Sequence, residues 1–140
     1  MTLAPNASLL PTRHVLLACG QRGENATWFA RIDVVFRPSG FVLCRTRTGI
    51  ETVQRVEQGG LAAAVLMEDQ RAIDGLSLLR IIRSIDAGLP CWLVTDDTRR
   101  HTLQAALALQ ATSVITHAIE PDELEMVLRR RLFAVPNADN

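Results

Sequence analysis

The side chains of this sequence that could do chemistry sit where short apolar runs stop. Cys19 and Gly20 close HVLLACG, Glu68 and Asp69 follow LAAAVLM with its final Met67, Thr95 closes CWLVT, and His117 follows SVIT. A carboxylate there could act as a nucleophile, or join other hard oxygen donors around a divalent ion. Met67 can do neither, because a thioether is no such nucleophile and no hard ligand. Cys19 and Gly20 offer a soft thiol and backbone groups. Cys19 has no adjacent histidine to activate it. His14 and His101 have no paired ligand spacing, so no metal site is expected.

The elements that must position these residues alternate in type. Residues 14–19, 41–45, 61–67, 91–95 and 113–116 are short apolar runs, the pattern of strands buried on both faces. Between them lie helical patterns. Residues 24–36 place Trp28, Ile32, Val35 and Phe36 at helical spacing before Pro38-Ser39-Gly40 stops the run. Thr48 caps a helix over 49–58, with Ile50, Val53 and Val56 on one side and Gly59-Gly60 as its stop. Asp74 caps a helix bearing Leu78, Leu79, Ile82 and Ile85, which Gly88 and Pro90 end. Residues 98–110 carry Leu103, Ala106, Leu107 and Leu109. Pro121 opens a last helix with Asp122 and Glu123 in its first turn and Arg129, Arg130 and Arg131 near its end, as the helix dipole favours. Arg99, Arg100 and His101 open the fourth helix against that dipole, which points to a nearby acid or a partner. Five βα units predict a doubly wound parallel sheet covered on both faces, in the flavodoxin-like strand order 2-1-3-4-5.

Composition sets the outer bounds. A chain of 140 residues, 48% hydrophobic and 21% charged, is one ordinary domain. Its boundaries are read as a flexible leader over 1–12, the domain over 13–133 and a frayed tail over 134–140. Fifteen basic and fifteen acidic residues cancel, which gives no bulk drive toward nucleic acid or an acidic membrane and little repulsion between copies. Aromatic residues at 4% also count against nucleic-acid binding. Three cysteines without a CxxC spacing argue against disulfides or zinc and for buried, reduced thiols in a cytoplasmic protein. No apolar run approaches a membrane span, and the N-terminus is a poor signal peptide.

The segment AAAVLMEDQRAIDGLSLLRIIR resembles the third strand and helix of response-regulator receiver domains, with Asp74-Gly75 opening the helix and Leu78, Leu79 and Arg80 following. Pro90 before CWLVT, Thr95 at the position of the switch hydroxyl, and ATSVITHAIEPDEL extend the resemblance over residues 13–133. No single motif is specific; the order and spacing carry the likeness. The departures are chemical. Seven residues before Asp74, at the place of the phospho-accepting aspartate, stands Met67; the acidic pair after strand 1 falls on Cys19 and Gly20; the lysine after strand 5 falls on His117. A one-residue shift of register would put Glu68 at the strand end as a permanent charge.

The resemblance therefore implies a degenerate phospho-acceptor pocket of Cys19, Gly20, Met67, Glu68, Thr95 and His117, without catalysis, metal or cofactor. It implies a stand-alone, receiver-like module of two-component signalling or a phosphorelay, acting on a kinase, an output protein or a second copy of itself. The face it suggests, helix 4–strand 5–helix 5, carries Arg99, Arg100, Gln104, Thr116, His117, Glu125, Arg129 and Arg130. The alternative is a small flavodoxin-like ligand binder or enzyme with its site at the carboxyl edge of the sheet, where the loop GQRGEN has two glycines but no phosphate-loop pattern.

Overall fold

A computed structural model describes residues 13–20, 26–69 and 72–133. The expected leader and tail, and all of GQRGEN after Gly20, lie outside the described residues. The elements run β1 (Arg13–Ala18), α1 (Ala26–Phe36), β2 (Phe41–Thr46), α2 (Gly49–Gln58), β3 (Leu61–Met67), α3 (Gly75–Ile85), β4 (Cys91–Val94), α4 (Arg100–Ala108), β5 (Ser113–Ile115) and α5 (Pro121–Leu132). All five strands pair in parallel in the order β2-β1-β3-β4-β5. The flavodoxin-like order expected from the sequence is the one observed.

Two apolar layers flank the sheet because successive strand residues point to opposite faces. Val15, Leu17, Val65, Met67 and Trp92 pack with Ile32 and Phe36 of α1 and with Leu124 and Leu128 of α5. Leu16, Ala64, Leu66 and Leu93 pack with Val56 of α2, Leu78, Leu79 and Ile82 of α3, and Ala106 of α4. Trp92 is 2% exposed, as its place in a central strand demands.

The caps work as their residue types require. Thr48 accepts from Glu51 N at 3.1 Å, and Asp74 accepts from Ser77 N at 3.3 Å. Between α1 and β2, Arg37–Ser39 forms a 3-10 turn and Gly40 takes a left-handed φ of 78°. Arg83 of α3 donates to the carbonyls of Leu109 at 2.8 Å and Gln110 at 3.0 Å, binding α3 to the α4–β5 turn.

Three side chains expected to face inward point out. Ile50 is 73% exposed and Leu107 is 63% exposed, and Ile85 is also exposed. On α2 the buried places go to Thr52 and Val56, and on α4 to Thr102 and Ala106. Both threonines are buried with their hydroxyls bonded, Thr52 to Thr48 O and Thr102 to Asp97, which removes the cost of burying them.

Candidate functional site

The carboxyl ends of β3 and β4 meet at the centre of the sheet edge. Met67 pairs with Val94 as the last strand residues, and Glu68 N donates to Val94 O at 2.8 Å. Thr95 N continues the ladder, donating to Ile115 O at 2.9 Å. Met67 is buried in the layer under α1 and α5. Glu68 turns toward α3, where its Oε2 accepts from Gly75 N at 3.3 Å and its Oε1 accepts a very short hydrogen bond from the Thr95 hydroxyl. Gly75 also makes room for the Leu93 side chain, which a Cβ there would overlap. Thr95 is 3% exposed, and its Oγ1 also accepts from Asp97 N at 3.0 Å.

On the β1 side, Cys19 is buried and its thiol donates weakly to Thr46 O at 3.7 Å, a packing role. Gly20 adopts a left-handed φ of 64°, and a Cβ on it would fall inside the Asp69 carboxylate. Asp69 is fixed by paired backbone bonds with Ile73 at 2.9 and 3.0 Å. The space that a side chain at position 20 would need is thus filled from β3. At these two positions Met67 supplies sulfur and Gly20 no side chain, neither of them a hard oxygen ligand, and the carboxylate beside Gly20 is that of Asp69. Among the described residues, no group of three His, Cys, Asp or Glu side chains converges to hold a metal ion.

A cleft of about 380 Å³ opens beside these strand ends. Trp28 and Phe29 of α1 form one wall; Met67, Glu68, Thr95 and Asp96 form its floor and side; residues 117–120 close it. The Trp28 indole N–H, donating to Ile119 O at 2.7 Å, holds the β5–α5 loop against α1. His117 lines the cleft but is exposed, with Nε2 at 3.1 Å from Glu123 Oε2. The sequence placed Trp28 on the first helix; its part in the cleft had no signal in the spacing.

The acid that the start of α4 calls for is Asp97. Its carboxylate accepts from Arg99 N at 3.0 Å, from the Arg99 guanidinium at 2.9 and 2.7 Å, and from Thr102 Oγ1 at 2.8 Å. These bonds, those from Arg99 foremost, hold its carboxyl well below the usual carboxylate range.

Of the expected docking face, Arg99, Arg100, Gln104, Thr116, His117, Arg129 and Arg130 are exposed. Glu125 is a correction: it is 8% exposed, with Oε2 accepting a very short bond from Ser39 Oγ and both oxygens accepting from Arg129 at 3.0 and 3.3 Å. A carboxylate on that flank of α5 lies against the 3-10 turn, so it is bonded inward and not presented to solvent.

No family model matches this chain, and no curated protein is similar to it in sequence. Solved structures are similar in shape. A CheY-like response regulator receiver domain protein from Methanospirillum hungatei superposes with a TM-score of 0.74 at 15% identity, over 88% of this chain and 95% of that one. A two-component response regulator from Clostridium difficile gives 0.74 at 13% identity, over 90% and 100%. The receiver domain of a sensor histidine kinase from Pseudomonas aeruginosa, which has a magnesium ion coordinated in its active-site cleft, gives 0.70 at 20% identity, over 89% and 100%. At these identities the likeness is one of architecture, and this chain has the CheY-like fold of response-regulator receiver domains.

Proposed function

We propose that this chain is a signalling module of the receiver type that acts by binding and not by phosphoryl transfer. The observation that carries the reading is the environment of Glu68. The strand-end position that would hold an acceptor aspartate is the buried Met67, and the neighbouring carboxylate is engaged by Thr95 and Gly75. An acyl phosphate needs an oxygen nucleophile open to its donor and a cation beside it. Glu68 is tied into the fold, and Cys19 and Gly20 supply no hard ligand.

The partner is a kinase, an output protein or a second copy, docking on the exposed face of α4, β5 and α5 through Arg99, Arg100, Gln104, Thr116 and Arg130. Among the described residues no helix is long and apolar enough to cross a membrane. The reduced thiols of Cys44 and Cys91 accord with a reducing compartment such as the cytoplasm.

The test is incubation with acetyl phosphate and magnesium, read by intact mass. The expected result is an unmodified chain. A stable adduct abolished by substituting Glu68 or Asp69 would overturn the proposal.

A second reading has one observation in its favour, the cleft walled by Trp28 and Phe29 at the carboxyl edge of the sheet. Its size falls in the range of small-ligand sites, roughly 300–1,000 Å³. A fragment screen by NMR would support it if binders shifted the Trp28 indole resonance, and would discard it if none did.

A further inference from the structure

We propose that the cleft at the carboxyl edge of the sheet takes a small organic cation, an ammonium group on an apolar body, held between the Trp28–Phe29 corner and the carboxylates of Asp96 and Glu120. This rests on the second reading above, that the cleft is a ligand site, and names the chemistry of its occupant.

The wall supplies the first half of the argument. Trp28 and Phe29 are both half-buried, with ring centroids 5.2 Å apart and planes at 85°. Rings set almost at right angles make a corner and not a flat shelf. The face of an aromatic ring attracts a cation, and alkylammonium ligands are recognised in cages built of such faces. Trp28 is fixed in this corner by the bond from its indole N–H to Ile119 O at 2.7 Å. That bond uses the side chain's one donor, so what Trp28 offers a ligand is ring surface. Phe29 already receives a cation of the chain itself, the Arg45 guanidinium carbon lying 5.1 Å from its centroid. Trp28, the better ring for the purpose, carries none among the described residues.

Charge supplies the second half. Glu68, Asp96 and Glu120 line the cleft, and among the described residues no arginine does. His117 also lines it, but its Nε2 is turned to Glu123 at 3.1 Å. Glu68 is bonded by Thr95 and Gly75 within the fold, whereas Asp96 and Glu120 are exposed. The Asp96 carboxylate makes no hydrogen bond or ion pair among the described residues. Glu120 meets Arg31 only at 3.9 Å, because that guanidinium is committed to Asp122 at 3.1 Å. An anion entering here would face like charges. A bare metal ion is poorly served, since among the described residues no three His, Cys, Asp or Glu side chains converge on a point. Carboxylates set apart around a cleft of about 380 Å³, opposite two rings, suit a charged body of several atoms.

The experiment uses the full chain labelled with 15N and three probes of one skeleton: phenethylammonium, phenethyl alcohol and phenylacetate. Affinities are read from the Trp28 indole resonance and the amides of 117–119. The ammonium is expected to bind roughly tenfold more tightly than the alcohol, phenylacetate is expected not to bind, and added sodium chloride should weaken the ammonium alone. Trp28→Leu should weaken the ammonium about three- to tenfold. Asp96→Asn and Glu120→Gln should each weaken it about two- to fivefold and leave the alcohol unchanged. Both of these positions are exposed, so the two variants carry the comparison if Trp28→Leu does not fold. Equal binding of the alcohol, binding of phenylacetate, or an ammonium preference untouched by Asp96→Asn and Glu120→Gln would overturn the proposal. Neutral or anionic fragments that bind where phenethylammonium does not would keep the cleft as a ligand site and remove the cation; no binder of any charge would remove both.

Discussion

The Trp28 indole N–H and the Ile119 carbonyl, 91 positions apart in sequence, are joined by a hydrogen bond of 2.7 Å. This bond ties α1 to the β5–α5 loop and keeps one wall of the cleft against its rim. Trp28→Phe retains an aromatic ring but leaves that carbonyl without its donor. We expect a loss of about 0.5–1.5 kcal/mol in urea unfolding and shifted amide resonances at 117–119. Wild-type stability with unmoved resonances would show that the bond does not hold the loop.

Gly20 is predicted to tolerate no side chain. Its left-handed φ of 64° and the Asp69 carboxylate in the space of its missing Cβ act together. Gly20→Ala should cost about 1–3 kcal/mol, the backbone strain alone accounting for roughly 1–2. Replacing Asp69 by Gly in the same chain should return part of that loss. Additive effects of the two substitutions would mean that the carboxylate is not the obstacle.

Alkaline stability should report on one thiol. Burial pushes the Cys91 thiol up from its ordinary 9.0 to about 11, against a smaller opposing influence of Arg83. The folded value lies above the unfolded one, so the neutral thiol's contribution is complete below pH 9 and fades as pH rises through about 11. The sequence contains no tyrosine and all fifteen of its basic residues are arginine, so no other side-chain type titrates in this window. Unfolding free energies from urea curves taken from pH 8 to 11 should fall, by at most about 2–3 kcal/mol in total. Cys91→Ala should flatten the slope; an unchanged slope would assign it elsewhere. At pH 8, half-buried Cys44 should react with a thiol reagent before buried Cys19 and Cys91 do.

Glu125 and Arg130 lie five residues apart on α5 and should respond in opposite ways. Glu125→Ala strands Ser39 and Arg129, and should cost about 1–3 kcal/mol. Arg130→Ala is expected to stay within about 0.5 kcal/mol, the usual range for an exposed site, while weakening a partner's binding. Denaturation curves distinguish the two; equal losses would move Arg130 from the docking surface into the fold.

Much of the architecture could be read directly from residue types. LAAAVLM marks β3 to the residue, Thr48 and Asp74 mark the starts of two helices, and Pro121 the start of a third. Such signals are local, and local backbone preference decides them. The spacing from Asp74 selects Met67, which does end β3, so the register shift that would put Glu68 at the strand end does not occur; Glu68 reaches Thr95 from the residue after the strand. What stayed hidden were relations across the chain. Nothing in the period of α5 distinguishes Glu125 from its exposed neighbours until Ser39 is brought against it. Gly20 says nothing of Asp69 until β1 and β3 pair. Periodicity also overstated the inner faces of α2 and α4, since an isoleucine or leucine at the edge of an apolar stripe was counted as inward when a bonded threonine took the place.

The arginine-led start of α4 has a consequence for how portable that helix is. A peptide of residues 98–110 should be poorly helical in water, and one beginning at residue 95 only slightly better, because the orientation of Asp97 is dictated by a neighbouring strand. Transplanted onto another scaffold, the same residues would lose their address along with their acid. The surface that α4 offers is thus on loan from the sheet edge beneath it, and belongs to the whole domain.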